Sequence, residues 1–211
     1  MRLSFKNVQK TVDAQAILFD LDGTLVESTG SIGQILTDWA HANALDAVAV
    51  NDFSHGKRTI DIVLAFIAEN AVQQHYDALT AQFVAATHQT TAIAGALEFL
   101  NQLNAQQIPW AVVSSSERVL IEARLNAAAL PIPSFMVSAE DVQQGKPSPE
   151  GYLKAADLLN VNIADCVVFE DAPSGIQAAQ AAGAQLVVVG HLSDSINTDA
   201  QISNYDDLSL L

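Results

Sequence analysis

The stretch that decides the fold runs Ala16-Ile17-Leu18-Phe19-Asp20-Leu21-Asp22-Gly23-Thr24-Leu25. Its first four residues are apolar and the next four make a polar turn, which reads as a short buried strand stopping at its C-terminal end. If the strand geometry persists, Asp20 and Asp22 point to one side, with Leu21 opposite. Ligand sites in open parallel sheets gather at such strand ends. Two carboxylates held together there repel each other, and a divalent cation is the natural remedy. With Mg²⁺ bound, one could attack a phosphoryl group while the other moves protons. Gly23 allows a sharp turn that brings backbone N–H groups toward a phosphate, and Thr24 adds a hydroxyl. Taken alone, the same residues equally describe an Asp-Gly turn with two solvated acids.

Similar apolar runs recur at Trp110–Val113, Phe135–Val137, Cys166–Phe169 and Leu186–Val189. Helical patterns lie between them. Leu97, Leu100 and Leu103 form one, Val119, Ala123 and Leu130 a looser second, and Tyr152, Leu153, Ala156 and Leu159 a third behind Pro149. Another starts near Ser174 and stops at Gly183. Strands alternating with helices predict a parallel sheet covered on both faces. Residues 32–92 break the alternation with three helical faces: Ile32, Ile35, Leu36, Trp39 and Ala40; Ile60, Val63, Leu64 and Ile67; and Tyr76, Leu79 and Phe83. The expected architecture is α/β: a Rossmann-like parallel-sheet core (residues 1–31 and 93–211) with an inserted α-helical cap (32–92). From about His191 the pattern is weak.

Composition narrows the function. The chain has 211 residues, half of them hydrophobic and 16% charged, which excludes a disordered or collagen-like protein. No apolar run reaches the roughly 18 residues of a membrane span, and the first residues offer no secretory signal, so a cytoplasmic protein is expected. The single cysteine, Cys166, sits in the apolar run CVVF and reads as a buried thiol. Nine Lys and Arg stand against 24 Asp and Glu, a formal charge of -15 that argues against nucleic acid or anionic membrane as partner. The same field repels phosphorylated substrates, so an anion site must be built locally and each basic residue is worth locating.

Three further segments place polar groups after predicted strands. Ser114-Ser115-Ser116 supplies hydroxyls after Trp110–Val113. Lys146, held in Gly145-Lys146-Pro147-Ser148-Pro149, could bind phosphate and screen the carboxylates. Glu170 and Asp171 follow Cys166–Phe169 and are hard-cation ligands of the kind Mg²⁺ takes. Each has an ordinary reading: a polar loop, a solvated lysine, an acidic helix start. The joint pattern on successive strand–helix units is far more specific.

In order and spacing, Phe19-Asp-Leu-Asp-Gly-Thr-Leu25, Val113-Ser-Ser-Ser116, Gly145-Lys-Pro-Ser-Pro149 and Val168-Phe-Glu-Asp-Ala-Pro-Ser-Gly175 resemble the four motifs of the haloacid dehalogenase superfamily of phosphotransferases. The helical insertion resembles the cap of its β-phosphoglucomutase-like branch. The resemblance implies Asp20 as nucleophile through a phospho-aspartyl intermediate, Asp22 as general acid and base, and Lys146 bridging nucleophile and phosphate. Ser115 would bind the phosphoryl oxygens, with Ser114 and Ser116 as its alternatives. Mg²⁺ would lie between Asp20, the Asp22 backbone carbonyl, Glu170 and Asp171. His55-Gly-Lys-Arg58 resembles the cap segment of sugar-phosphate and glycerol-phosphate phosphatases, so that Lys57 or Arg58 would hold the substrate's non-reacting part.

The chain departs from relatives at Ser116-Glu117, and Glu117 is expected to face solvent or pair with Arg118. The implied function is a Mg²⁺-dependent phosphatase acting on a small sugar or polyol phosphate, as a monomer or weak homo-oligomer. Thr24 favours hydrolysis over the mutase chemistry of the same branch. A receiver domain is disfavoured by the Asp20–Asp22 spacing and the inserted helices. A silent phospho-ligand-binding relative would need a reason the intact motifs do not give.

Overall fold

The computed structural model describes residues 1–6, 10–190 and 198–211. Of the weakly patterned C-terminal stretch, residues 191–197 lie outside the described residues. In chain order the strands are β1 (Arg2–Phe5), β2 (Lys10–Asp13), β3 (Ala16–Phe19), β4 (Val26–Glu27), β5 (Thr91–Ala92), β6 (Trp110–Val113), β7 (Phe135–Val137), β8 (Cys166–Glu170), β9 (Gln185–Val189), β10 (Ala200–Ile202) and β11 (Leu208–Leu210). The helices are α1 (Thr29–Ala42), α2 (Ala47–Ser54), α3 (Thr59–Phe66), α4 (Val72–Ala86), α5 (Ala96–Ala105), α6 (Arg118–Ala127), α7 (Glu150–Leu158) and α8 (Pro173–Ala182).

Six strands form the central sheet in the order β10-β9-β8-β3-β6-β7, with every neighbouring pair parallel. The strand with the two aspartates is thus flanked on both sides, and β3 is buried at all four positions. Period-2 alternation divides its residues between two cores. Ile17 and Phe19 face the layer of α5 and α6, with Leu100, Leu103, Ile121 and Leu125. Ala16 and Leu18 face α7 and α8, with Tyr152, Ala156, Ile176 and Ala179. This is the expected parallel sheet with helices on both faces.

The pattern predicted for α6 is out of phase. Val119 is exposed, and the buried face reads Leu120, Ile121, Arg124 and Leu125. The helix serves two partners, since Ile121 and Leu125 pack under the sheet while Leu120 joins the apolar cluster of α1–α4.

The helical cap comprises α1–α4, packed around Leu36, Trp39, Val50, Ile62, Val63, Leu79 and Phe83. Its second helix, α2, escaped the sequence reading because it buries only Val50. The Asp46 carboxylate caps it, accepting from the N–H groups of Val48 and Ala49 at 2.9 and 3.3 Å. The chain enters and leaves the cap through β4 and β5, which pair antiparallel.

The opening residues form β1 and β2 in a three-stranded antiparallel sheet with β11. Leu3, Phe5 and Val12 turn inward, too few alternating residues to show in the sequence. Just before β11, Tyr205 is buried against Phe19, Phe99 and Phe169, and its hydroxyl donates to the Thr24 carbonyl at 3.1 Å. No helix among the described residues is long and apolar enough to cross a membrane.

Candidate active site

The ends of β3, β6 and β8 and the loop before α7 bring the polar groups together. Asp20 is buried, and the Lys146 ammonium donates to its Oδ1 at 2.6 Å. Lys146 also donates to Glu170 Oε1 at 2.6 Å, and the Tyr152 hydroxyl donates to the same oxygen at 3.0 Å. The other Glu170 oxygen accepts the N–H groups of Asp171 and Ala172, each at 2.8 Å. All of the Glu170 carboxylate is therefore bound, and α8 approaches it so closely that a Cβ on Gly175 would lie 1.5 Å from Oε1. Gly23, at φ +87°, presses likewise against Asp171, where a Cβ would lie 2.0 Å from Oδ2.

Burial pushes the Asp20 carboxyl well above the usual carboxylate range against the pull of Lys146, and Glu170, Asp171 and Asp22 push the same way. Burial, with Glu170 adding, raises Asp171 to about 7. Burial lowers the Lys146 ammonium, but Asp20 and Glu170 more than offset it and hold it protonated. One oxygen each from Asp20, Glu170 and Asp171 lies within 4.8 Å of the others. Buried carboxylates with this strain, all hard oxygen donors, suit a divalent cation. The Asp22 carboxylate is outside that group.

The Asp22 carboxylate has a different set of partners. The Ser28 hydroxyl donates to its Oδ1, while Ser116 and Arg124 donate to Oδ2 at 3.1 and 2.7 Å. Arg124 Nη1 also donates to Ser116 Oγ at 2.7 Å. Of the nine basic residues, only Lys146 and Arg124 are buried, and both reach this site. Arg124 was missed because charge in a helix pattern reads as solvent-facing. The available signal was its place in the run Leu120, Ile121, Arg124, Leu125, on the apolar face at helical spacing.

A cavity of about 110 Å³ opens between cap and core above Asp20 and Asp22. The cap lines it with Thr29, Ile32, Asn51, Ser54, Ile62 and Phe83, and α6 with Leu120 and Arg124. Ser114, Ser115 and Ser116 all line it. Ser115 spends its hydroxyl on the Gly56 carbonyl at 2.8 Å, and Ser114 Oγ accepts the Ser116 N–H at 3.1 Å.

The remaining predicted positions are placed less simply. Thr24 is fully buried and donates to Asp171 Oδ1 at 3.1 Å, so its hydroxyl supports the acidic group instead of facing the cavity. The Gly23 N–H is used within the turn, donating to the Val26 carbonyl at 2.8 Å. Lys57 lines the cavity and donates to the Lys146 carbonyl at 3.1 Å. Arg58 turns away, bound at both ends to Asp61 at 2.8 Å and to the Val142 carbonyl at 3.2 Å.

Glu117 does not face solvent or pair with Arg118. It is buried and accepts from the cap's Thr59 hydroxyl at 3.4 Å, while Arg118 pairs with Asp141 at 2.6 Å. The cap covers the start of α6 and encloses this acid. Ser174 is not the cap of α8, which begins after Ala172, and its hydroxyl instead donates to the His55 carbonyl at 2.8 Å.

The family model of haloacid dehalogenase-like hydrolases matches residues 17–189, which include every one of these strand ends. The chain belongs to that family. Among the proteins it resembles, hexitol phosphatase A of Escherichia coli (strain K12) is 38% identical over 184 residues, 86% of this chain and 85% of the relative. Glycerol-1-phosphate phosphohydrolase 2 of Saccharomyces cerevisiae is 33% identical over 194 residues, covering 87% and 78%. The fold matches that of a β-phosphoglucomutase from Clostridium difficile with a TM-score of 0.80, covering 90% and 91% of the two chains at 23% identity.

Proposed function

We propose that this protein is a Mg²⁺-dependent phosphatase that hydrolyses a small sugar or polyol phosphate through a phospho-aspartyl intermediate on Asp20. The observation that carries the reading is the Asp20 carboxylate itself, held at a buried strand end by Lys146 and lining a cavity that Asp22 also lines. The relatives named as phosphatases of a hexitol phosphate and of glycerol 1-phosphate support the class. Asp20, Asp171 and, in exchange for one of its present donors, Glu170 would hold the metal, which when bound would neutralise the acidic cluster and the transferred phosphoryl oxygens.

The chain's own residues divide the remaining work. A carboxylate oxygen of Asp20 attacks phosphorus in line and the ester P–O bond breaks, while Asp22 delivers its proton to the departing alkoxide. Asp22 then takes a proton from water, which attacks phosphorus, frees Asp20 and releases orthophosphate. Lys146 keeps the Asp20 carboxylate oriented, and Glu170 keeps Lys146 in place. The four cap helices, with residues 32–92 as the cap and 1–31 with 93–211 as the core, exclude bulk water while the reaction proceeds.

The cavity's cations favour a monophosphate over the bisphosphate a mutase must hold. Arg124 is balanced by Asp22, which leaves Lys57, bonded to a neutral carbonyl, as the one Lys or Arg lining the cavity without a carboxylate partner among the described residues. No nucleic acid, membrane or other macromolecular partner is part of this reading. It describes a cytoplasmic monomer or weak homo-oligomer.

Phosphate release from sugar, polyol and nucleotide monophosphates, with and without Mg²⁺, tests it beside an Asp20→Asn variant. Release that requires Mg²⁺ and disappears in the variant is expected. Undiminished release by Asp20→Asn would remove Asp20 as the nucleophile.

A further inference from the structure

Arg124 carries more hydrogen-bonding capacity than the protein uses. The residue is 3% exposed, so its guanidinium has given up nearly all its water. A guanidinium offers five N–H donors. Here Nη1 serves both Asp22 and Ser116, and neither Nε nor Nη2 has a hydrogen bond to any described residue. Those two nitrogens are not sealed in the core either. The buried side-chain nitrogen or oxygen left without a partner among the described residues is Thr80 Oγ1 alone. Arg124 lines the cavity, and with so little of the residue exposed elsewhere the cavity is the space its spare donors can serve.

Two features define what those donors can take. Asp22 already balances the charge of Arg124 through a 2.7 Å ion pair, so a neutral oxygen suits the remaining N–H groups better than a second anion. Asp22 is also the group that protonates the leaving oxygen in the proposed reaction. An acceptor beside it must lie close to that oxygen along the substrate, and a hydroxyl on the carbon next to the ester carbon meets this condition. The nearby walls of Ile32, Ile62, Phe83 and Leu120 fit the carbon-bound face of such a chain. A plain alkyl ester would leave the buried donors unsatisfied, which is the penalty that polar sites impose on analogues lacking a hydroxyl.

We propose that Arg124 is a specificity-determining residue whose free N–H groups recognise a hydroxyl vicinal to the phosphate ester. The enzyme thereby selects 2-hydroxyalkyl phosphates, as polyol phosphates and open-chain sugar phosphates are, over their deoxy counterparts. This rests on the phosphatase reading above.

The test compares 1,2-propanediol 1-phosphate with n-propyl phosphate, using wild type, Arg124→Lys and Ser116→Ala, with p-nitrophenyl phosphate as a general substrate. Wild type should favour the hydroxylated ester by ~10- to 100-fold in kcat/KM, the value of one charge-assisted hydrogen bond. Arg124→Lys keeps a positive charge beside Asp22 but loses the fork, so the preference should collapse toward unity even if both rates fall. A merely structural role would lower both rates and leave the ratio intact, which would overturn the proposal. If Arg124→Lys does not fold, the wild-type ratio decides: parity between the two esters overturns the proposal, and a preference that shrinks in Ser116→Ala supports it. Hydrolysis of p-nitrophenyl phosphate without any preference defeats this inference alone. No hydrolysis of any ester defeats the phosphatase reading and the inference with it.

Discussion

At the ends of the central strands, Lys146 reaches Asp20 and Glu170, Tyr152 reaches Glu170, and Thr24 reaches Asp171, each contact joining one side chain to another. Between cap and core the pattern differs. Ser115 donates to the Gly56 carbonyl, Ser174 to that of His55, Lys57 to that of Lys146 and Arg58 to that of Val142. A side-chain pair needs a particular residue at both ends, whereas a carbonyl is supplied by any residue at all. The strand-end cluster is consequently specified twice over, while the cap seam, the Thr59–Glu117 pair apart, is specified from one side and breaks at lower cost.

Gly175→Ala would test the strand-end cluster most severely. Its Cβ would fall 1.5 Å from a carboxylate oxygen whose group is fixed by Lys146, Tyr152 and two backbone N–H donors. Overpacking of this kind costs about 1–3 kcal/mol or more. A clear fall in Tm together with loss of phosphate release is expected, and an unchanged Tm would show that the cluster yields easily.

Metal removal comes next. In the metal-free protein Asp171 is raised from 3.8 to about 7, so the folded protein keeps a proton that the unfolded chain has released. Stability contributed by this group is therefore lost as pH rises between those values, and levels off above them. Tm measured in a chelator from about pH 5 to about 8 should carry this downward contribution, and Mg²⁺ should raise Tm most at the alkaline end. A Mg²⁺-induced rise that shrank with increasing pH would contradict the burial argument.

Ser115→Ala addresses the seam. It removes one hydrogen bond to the Gly56 carbonyl, worth about 0.5–1.5 kcal/mol, and should speed amide exchange in residues 55–59 and raise KM with kcat little changed. A large loss of kcat would instead assign the Ser115 hydroxyl to the phosphoryl oxygens. The smallest effect belongs to Gly30→Ala, where a Cβ on α1 meets nothing within 4 Å. A gain of up to about 0.5–1 kcal/mol follows from restricting the unfolded chain. A loss of stability there would mean that the cap is packed more tightly than its seam implies.

The same contrast explains how much was legible in the sequence. The strands at Ala16, Trp110, Phe135 and Cys166 are short apolar runs that end at identifiable polar groups, so strand and site residue announced each other. Two kinds of element gave no such signal. The sheet of β1, β2 and β11 joins the two ends of the sequence with few inward residues per strand, and α2 buries one side chain. Arg124 and Glu117 were obscured for another reason. Each is a charged residue made tolerable by a partner distant in sequence, Asp22 for one and Thr59 for the other, and no local pattern records such a partner. Thr24 was noticed but assigned to substrate, since sequence gives the direction of a hydroxyl only when the backbone around it is known.

The bond from Tyr205 to the carbonyl of Thr24 sets a timetable for the newborn protein. The aspartate turn is synthesised first of the two, and the hydroxyl that braces it lies 181 residues later. At ~5–20 residues per second, roughly ten to forty seconds of translation separate the two. A growing chain therefore displays its acidic turn well before it can hold that turn in working shape, and the brace arrives only when the clustered aromatic rings can close over Phe19.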